Sequence, residues 1–234
     1  MKTIYHKASS RGHANHGWLD SHHTFSFAGY HNPDRMHFGA IRVLNDDVVS
    51  GGMGFGMHPH RDMEIISIPL EGVLEHEDNM GNKGLIREGE VQVMTAGTGV
   101  MHSEKNASAT DTVKFLQIWL FPREQGLEPR YDQVNIGSDT FQQIISPNKQ
   151  EEGTWIHQDA WFYMVKPQEA YSELYTMNKP GNGVYLFVIE GSAKVGDQVL
   201  LKRDGYGVSE TDSFNLEIQD GSTVLIMEVP MELS

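Results

Sequence analysis

Short apolar runs, each a handful of residues long and bounded by turn-forming clusters, set the pattern along this chain. Residues 38–44 (FGAIRVL), 63–70 (MEIISIPL), 113–121 (VKFLQIWLF), 184–189 (VYLFVI) and 223–229 (TVLIMEV) are rich in β-branched and aromatic side chains, the composition of buried strands. Between such runs lie NDD from 45, DNMGN from 78, GNG from 181 and GD from 196, which read as turns. No segment holds an apolar period of 3.6 residues for three turns, and a short helix is expected only near residues 168–171. The pattern predicts an all-β protein, a sandwich or a barrel.

A weak internal repeat refines this. LEG (70–72), a turn-rich hairpin and REGE (87–90) recur as IEG (189–191), a short hairpin and KRDG (202–205), so Gly72 maps to Gly191 and Gly89 to Gly205. Two β-barrels of one design would produce the repeat. Chance recurrence of the common Glu-Gly turn pair is the competing reading. Pro122, Gly126, Pro129, Gly137, Pro147 and Gly153 interrupt the apolar runs in mid-chain. The expected division is an N-terminal barrel over 1–128, a linker over 129–152 and a C-terminal barrel over 153–234.

Composition narrows the chemistry. The 234 residues carry a formal charge of −14, which repels phosphate backbones and argues against direct nucleic-acid binding. There is no cysteine, so disulfides and thiolate metal sites are excluded and any metal must use imidazole and carboxylate. No apolar stretch has the length of a signal peptide core or a membrane span. A cytoplasmic, monomeric protein is expected.

Eleven of the twelve histidines precede residue 103. In GFGMHPHRDMEI, His58 and His60 are two apart and would share one face of a strand. In TAGTGVMHSEKN, His102 and Glu104 repeat that spacing, again after a glycine-rich turn. Two such strands facing each other across a small barrel would place four ligands round one cation, leaving two positions open on a six-coordinate ion. Such donors suit Fe(II) first, with Mn, Ni, Cu or Zn also accommodated. The repeat offsets carry the four positions onto Met177, Lys179, Ile218 and Asp220, so no metal is expected in the C-terminal half. Glu64, four residues after His60, is expected to orient an imidazole from outside the ligand set. His22 and His23 should point to opposite faces, His13 and His16 lie in a loop, His76 is a surface or hydrogen-bonded residue, and His157 is structural.

These residues resemble the cupin superfamily. Gly52, His58, His60 and Glu64 match its first motif, and His102 with Asn106 matches the end of its second. The likeness is closest to the pirin branch: HPHRDMEI (58–65), LEG (70–72), HEDNMGN (76–82), MTAGTGVMHSE (94–104), LQIWL (116–120) and the opening RGHANHGWLDSHHTFSFAGY (11–30) are all similar to pirin segments. Two departures from the general cupin motif, Thr95 in place of a proline and two extra residues before His102, are shared with pirins. The likeness is specific over about residues 11–135.

The resemblance implies a bicupin, two jelly-roll β-barrels with the metal only in the N-terminal one, held by His58, His60, His102 and Glu104. It implies quercetin 2,3-dioxygenase activity, in which a flavonol-like aromatic is cleaved by O₂ between C2 and C3 with release of carbon monoxide. Glu104 would then be both ligand and base, with help from Glu64 or His16. Phe55, Met57, Met63, Phe115, Trp119 and His16 are the expected substrate pocket. The alternative is a metal- or redox-sensing regulatory protein acting through protein partners. A purely structural metal site ranks third.

Overall fold

The structure is a computed structural model that describes residues 1–233. In chain order its strands are β1 (Lys2–His6), β2 (Gly12–Asn15), β3 (Leu19–His23), β4 (Ile41–Val49), β5 (Gly54–His60), β6 (Glu64–Glu71), β7 (Val73–Asp78), β8 (Lys83–Arg87), β9 (Glu90–Thr95), β10 (Val100–Asn106) and β11 (Val113–Leu120). They continue as β12 (Arg130–Asn135), β13 (Phe141–Ser146), β14 (Thr154–Trp155), β15 (Trp161–Val165), β16 (Tyr171–Thr176), β17 (Asn182–Glu190), β18 (Ser192–Val195), β19 (Gln198–Leu201), β20 (Gly205–Ser209), β21 (Ser213–Ile218) and β22 (Thr223–Pro230). The one helical element among the described residues is a 3-10 turn, Ala8–Ser10. The helix expected near 168–171 is absent: Pro167 precedes it, and Tyr171 already pairs with Ile218 as the first residue of β16. No helix is long and apolar enough to cross a membrane.

Four sheets build two cupin-type barrels. The N-terminal barrel joins a seven-stranded sheet, β12-β9-β6-β11-β4-β3-β2, to a four-stranded sheet, β5-β10-β7-β8. The C-terminal barrel joins β1-β20-β17-β22-β15-β13-β14 to β16-β21-β18-β19. The two orders correspond strand for strand up to the last pair, where β2 runs antiparallel to β3 but β14 runs parallel to β13, so the repeat read from Gly72 and Gly191 is a repeat of barrels. Both glycines sit at positive φ, 81° and 75°, between the equivalent pairs β6–β7 and β17–β18.

The strand partners depart from the expected division of the chain. The stretch 129–152 is not a free linker: β12 closes the N-terminal sheet on β9, and β13 pairs with β15 in the C-terminal sheet. The first strand, β1, pairs with β20 and belongs to the C-terminal barrel. The NDD cluster at 45 is not a turn either. Asn45, Asp46 and Asp47 lie inside β4, where His23 and Ser21 satisfy the buried Asn45 and Asp47.

Alternation along the strands assigns the cores. On β11, Leu116, Ile118 and Leu120 face outward from the N-terminal barrel, and on β17, Tyr185, Phe187 and Ile189 face outward from the C-terminal one. These rows meet in one large apolar cluster between the two seven-stranded sheets, the face-to-face packing of sheet on sheet. The opposite row of β17, Val184, Leu186 and Val188, fills the C-terminal barrel together with Tyr175, Phe214 and Leu216. The N-terminal barrel is filled differently. Its apolar groups form two separate plugs, one round Phe115 and Leu74, the other round Ile65 and Met94.

Candidate metal centre

Strand β5 runs antiparallel to β10 with His58 opposite His102 and His60 opposite Val100. Gly54 permits their close approach, because a Cβ there would lie 2.5 Å from the Glu104 carbonyl oxygen and from the Lys105 Cα. His58 and His60 share a face through their spacing of two, and His102 meets them across the ladder. The ring centroids are 4.7 Å apart for His58 and His60, 4.5 Å for His58 and His102, and 4.9 Å for His60 and His102. One nitrogen from each ring lies within 4.8 Å of the other two.

The protonation chemistry suits a divalent metal. Burial, reinforced by the neighbouring imidazole of His58, pushes His60 down to about 4. Burial, with His58, His60 and His76 adding to it, pushes His102 down to about 2. Both rings are therefore neutral near pH 7, as ligation requires. His60 Nε2 and His102 Nε2 are buried without a hydrogen-bond partner, a costly condition that an ion between them relieves. His58 places Nδ1 2.8 Å from the Gly56 carbonyl oxygen, which leaves Nε2 free.

Glu104 lies beyond a β-bulge between His102 and Glu104. It faces the same cavity but stands outside the cluster of three imidazoles. The Ser67 hydroxyl donates to Oε1 at 2.6 Å and the Gln117 amide donates to Oε2 at 2.5 Å. Burial raises this carboxyl, against the opposing pull of Ser67, His76, His58 and Gln117.

Behind His102 stands His76, expected to be a surface or hydrogen-bonded residue. It is hydrogen-bonded and fully buried. Its Nε2 is 3.1 Å from Asp78 Oδ2 and its Nδ1 is 3.5 Å from His102 Nδ1. Burial alone would raise Asp78, but hydrogen bonds from Asn82, His76 and Met80 outweigh it and hold the carboxyl below its ordinary value. An ionised Asp78 accepts from His76 Nε2–H, so His76 Nδ1 is left as an acceptor for His102 Nδ1–H. That tautomer turns the lone pair of His102 Nε2 toward the other two rings.

His58, His60 and Glu104 border a cavity of about 840 Å³, with His102 set just behind them, within the range of roughly 300–1,000 Å³ usual for ligand sites. Trp18, Phe27, Phe55 and Trp119 supply aromatic walls, and Ser21, His23, Asn45 and Asp47 supply a polar side. Burial, chiefly, pushes Asp47 up to about 7, with Asp46 and Glu104 adding to it against a hydrogen bond from Ser21. This polar side was hidden in the sequence by the turn-like NDD cluster. The signal lay in the alternation of β3, where Leu19, Ser21 and His23 point inward and Asp20 and His22 outward. His13, expected in a loop, is in β2.

Of the expected pocket residues, Phe55, Trp119 and His16 line the cavity. Three do not. Met57 is 49% exposed, because it alternates with His58 and His60 and so points away from them. The bulge resets that alternation and returns Phe55 to the inner face. Phe115 is buried in the apolar plug of Val49, Leu74, Ile86 and Val113, and Met63 packs on the plug of Ile65, Met94 and Val100. Glu64 accepts a hydrogen bond from the Thr95 hydroxyl at 2.8 Å through Oε2, and its Oε1 is buried without a partner. It faces the joint with the C-terminal half, where Arg130 and Arg123 add their charges, and not an imidazole ligand. In the C-terminal barrel the equivalent strands β16 and β21 present Tyr175 stacked on Phe214 at 5.3 Å. Both potential metal clusters found among the described residues lie in the N-terminal half.

Comparison with known proteins agrees with this architecture. The Pirin family model matches residues 5–120, and the model described as "Quercetinase C-terminal cupin domain" matches residues 143–229. The chain is 40% identical over 228 residues to the quercetin 2,3-dioxygenase of Escherichia coli strain K12, covering 96% of this chain and 97% of the relative. It is 35% identical to the pirin-like protein of Caulobacter vibrioides, with 92% and 94% covered. The crystal structure of YhhW from Escherichia coli superimposes with a TM-score of 0.95 at 39% identity, covering all of both chains. The structure of bacterial pirin YhhW in complex with nickel(II) gives a TM-score of 0.94 at 39% identity, with 99% of this chain and 100% of that one covered. With similarity of this extent across both barrels, the chain belongs to the pirin family.

Proposed function

We propose that this protein is a metal-dependent dioxygenase that cleaves a flavonol such as quercetin between C2 and C3. His58, His60, His102 and Glu104 would hold the metal, Fe(II) being the expected ion. The observation that carries this reading is the cluster of three imidazoles, of which His58 and His60 open onto a cavity with aromatic walls on one side and hydrogen-bonding groups on the other. A structural ion would instead be closed in by four protein ligands. The names of the similar Escherichia coli proteins, a quercetin 2,3-dioxygenase and a nickel-bound pirin, support it.

When bound, the ion supplies Lewis-acid stabilisation of an anionic oxygen and the electronic means to engage O₂. The chain supplies the rest. Trp18, Phe27 and Trp119 take the flat faces of the substrate, while Asn45, Asp47 and His23 offer partners to its hydroxyls. Glu104, fixed by Ser67 and Gln117, takes the proton of the 3-hydroxyl, and the burial that raises its carboxyl increases its appetite for that proton. Both atoms of O₂ enter the depside product and the ring carbon C3 leaves as carbon monoxide, so no further reductant is needed.

The test is carbon monoxide release from quercetin by protein loaded separately with Fe(II), Ni(II), Cu(II), Mn(II) and Zn(II). Release should depend on metal and disappear in Glu104→Gln and in the double variant His58→Ala/His60→Ala. If no metal supports release by the wild-type chain, the proposal fails.

A further inference from the structure

We propose a second divalent-cation site on the outer face of the β2–β3 hairpin, formed by His13, Asp20 and His22. The hairpin register sets His13 directly opposite His22 and Asn15 opposite Asp20. Asp20 and His22 are two apart on β3 and so project from the same face, opposite to the one that lines the cavity. The two imidazoles stack with centroids 4.5 Å apart and planes 20° from parallel. Both aim a nitrogen at one oxygen: His13 Nε2 is 2.9 Å and His22 Nδ1 is 3.6 Å from Asp20 Oδ1. The three donor atoms lie within 4.8 Å of one another.

These distances suit an ion. Donors bound at about 2.0–2.1 Å in tetrahedral array stand roughly 3.4 Å apart, between the two separations seen here. A cation enters here once the two stacked rings turn about their side-chain bonds to point their lone pairs at it. The other carboxylate oxygen, Asp20 Oδ2, accepts from the Asn15 amide at 3.0 Å, which orients the carboxylate from outside the cluster. The side chains of His13, Asp20 and His22 are 50%, 40% and 38% exposed, so the site is open to solvent and leaves room for water ligands. Arg11, whose charge reaches His22, is already engaged by Asp46 at 3.0 Å. Two imidazoles and one carboxylate select zinc(II), nickel(II) or copper(II) over magnesium or calcium.

The location gives the ion a consequence. Strand β2 is the edge of its sheet, and the inner face of the hairpin contributes Ala14, Leu19, Ser21 and His23 to the cavity wall. A cation bridging β2 to β3 clamps that wall from outside. This second site is independent of the central cluster, sharing no ligand with it.

Equilibrium dialysis of the metal-free full chain against micromolar zinc(II) or nickel(II) at neutral pH tests the assignment. The wild-type chain should take up two equivalents, and Asp20→Asn and His22→Ala should each take up one. The double variant His58→Ala/His60→Ala should keep one equivalent, and lose it when His22→Ala is added. That last pair reads the hairpin alone, so failure of the central site leaves the proposal intact. Uptake by His58→Ala/His60→Ala that persists after His22→Ala, or no uptake by that double variant at all, overturns it.

Discussion

Replacing Glu64 with Gln separates two roles that a buried carboxylate beside a metal cluster could have. Glu64 has no exposed surface. Burial dominates and pushes it from an ordinary 4.5 to about 7, against the hydrogen bond from Thr95 and the nearby charges of Arg130 and Arg123. The folded state therefore binds this proton more tightly than the unfolded chain does. The resulting stabilisation is fully present below about 4.5 and is lost as the pH rises through about 7. Once the group is ionised in both states, the folded protein has lost about 3 kcal/mol relative to acidic conditions. A glutamine keeps an acceptor oxygen for Thr95 and does not titrate. Urea unfolding of both proteins, at the acidic end of this window and again at mildly alkaline pH, isolates the effect because all other titrating groups are shared. The wild-type chain should lose up to about 3 kcal/mol against the variant across that range. A stability difference that stays constant with pH refutes the reasoning. Nickel affinity should not change, and its loss would restore Glu64 to the support of the imidazoles.

Three further outcomes follow from named contacts. His76→Leu removes the acceptor behind His102 Nδ1 and should weaken nickel binding by roughly tenfold, measured by competition with a chelator in protein whose melting stays cooperative. Asp204→Ala strips partners from the Tyr5 hydroxyl at 2.6 Å, the Ala8 amide at 2.8 Å and the Leu201 amide at 2.9 Å. It should cost roughly 3 kcal/mol and free the first strand to amide exchange. Gly205→Ala would set a methyl 2.2 Å from the Tyr185 hydroxyl oxygen and should destabilise by roughly 1–3 kcal/mol, seen as a lower melting temperature.

The central trio was legible because its information is local. A spacing of two on a strand fixes the shared face of His58 and His60, and a glycine-rich turn announces each pair. The same rule would have rejected Met57, which has the opposite parity to its histidine neighbours, whereas the bulge that rescues Phe55 has no signature in the sequence. Asn45 and Asp47 were misread because a polar triplet looks like a turn unless its partners, His23 and Ser21, are known, and those lie on another strand. For His76 the choice between surface and hydrogen-bonded was open for a related reason: its acidic neighbours suggested a surface, while β10 and Tyr131 cover it from elsewhere in the chain. Nothing in the five residues Lys2–His6 states that their partner begins at Gly205.

That exchange of an edge strand governs how the protein can be made. Residues 2–6 are synthesised long before residues 205–209, so their ladder cannot form until the later strand exists. Cutting the gene at its midpoint would consequently strip the second half of an outer strand and leave the first half trailing an orphaned one. Supplying residues 1–10 as a separate peptide should repair a C-terminal fragment, much as a missing stave completes a cask.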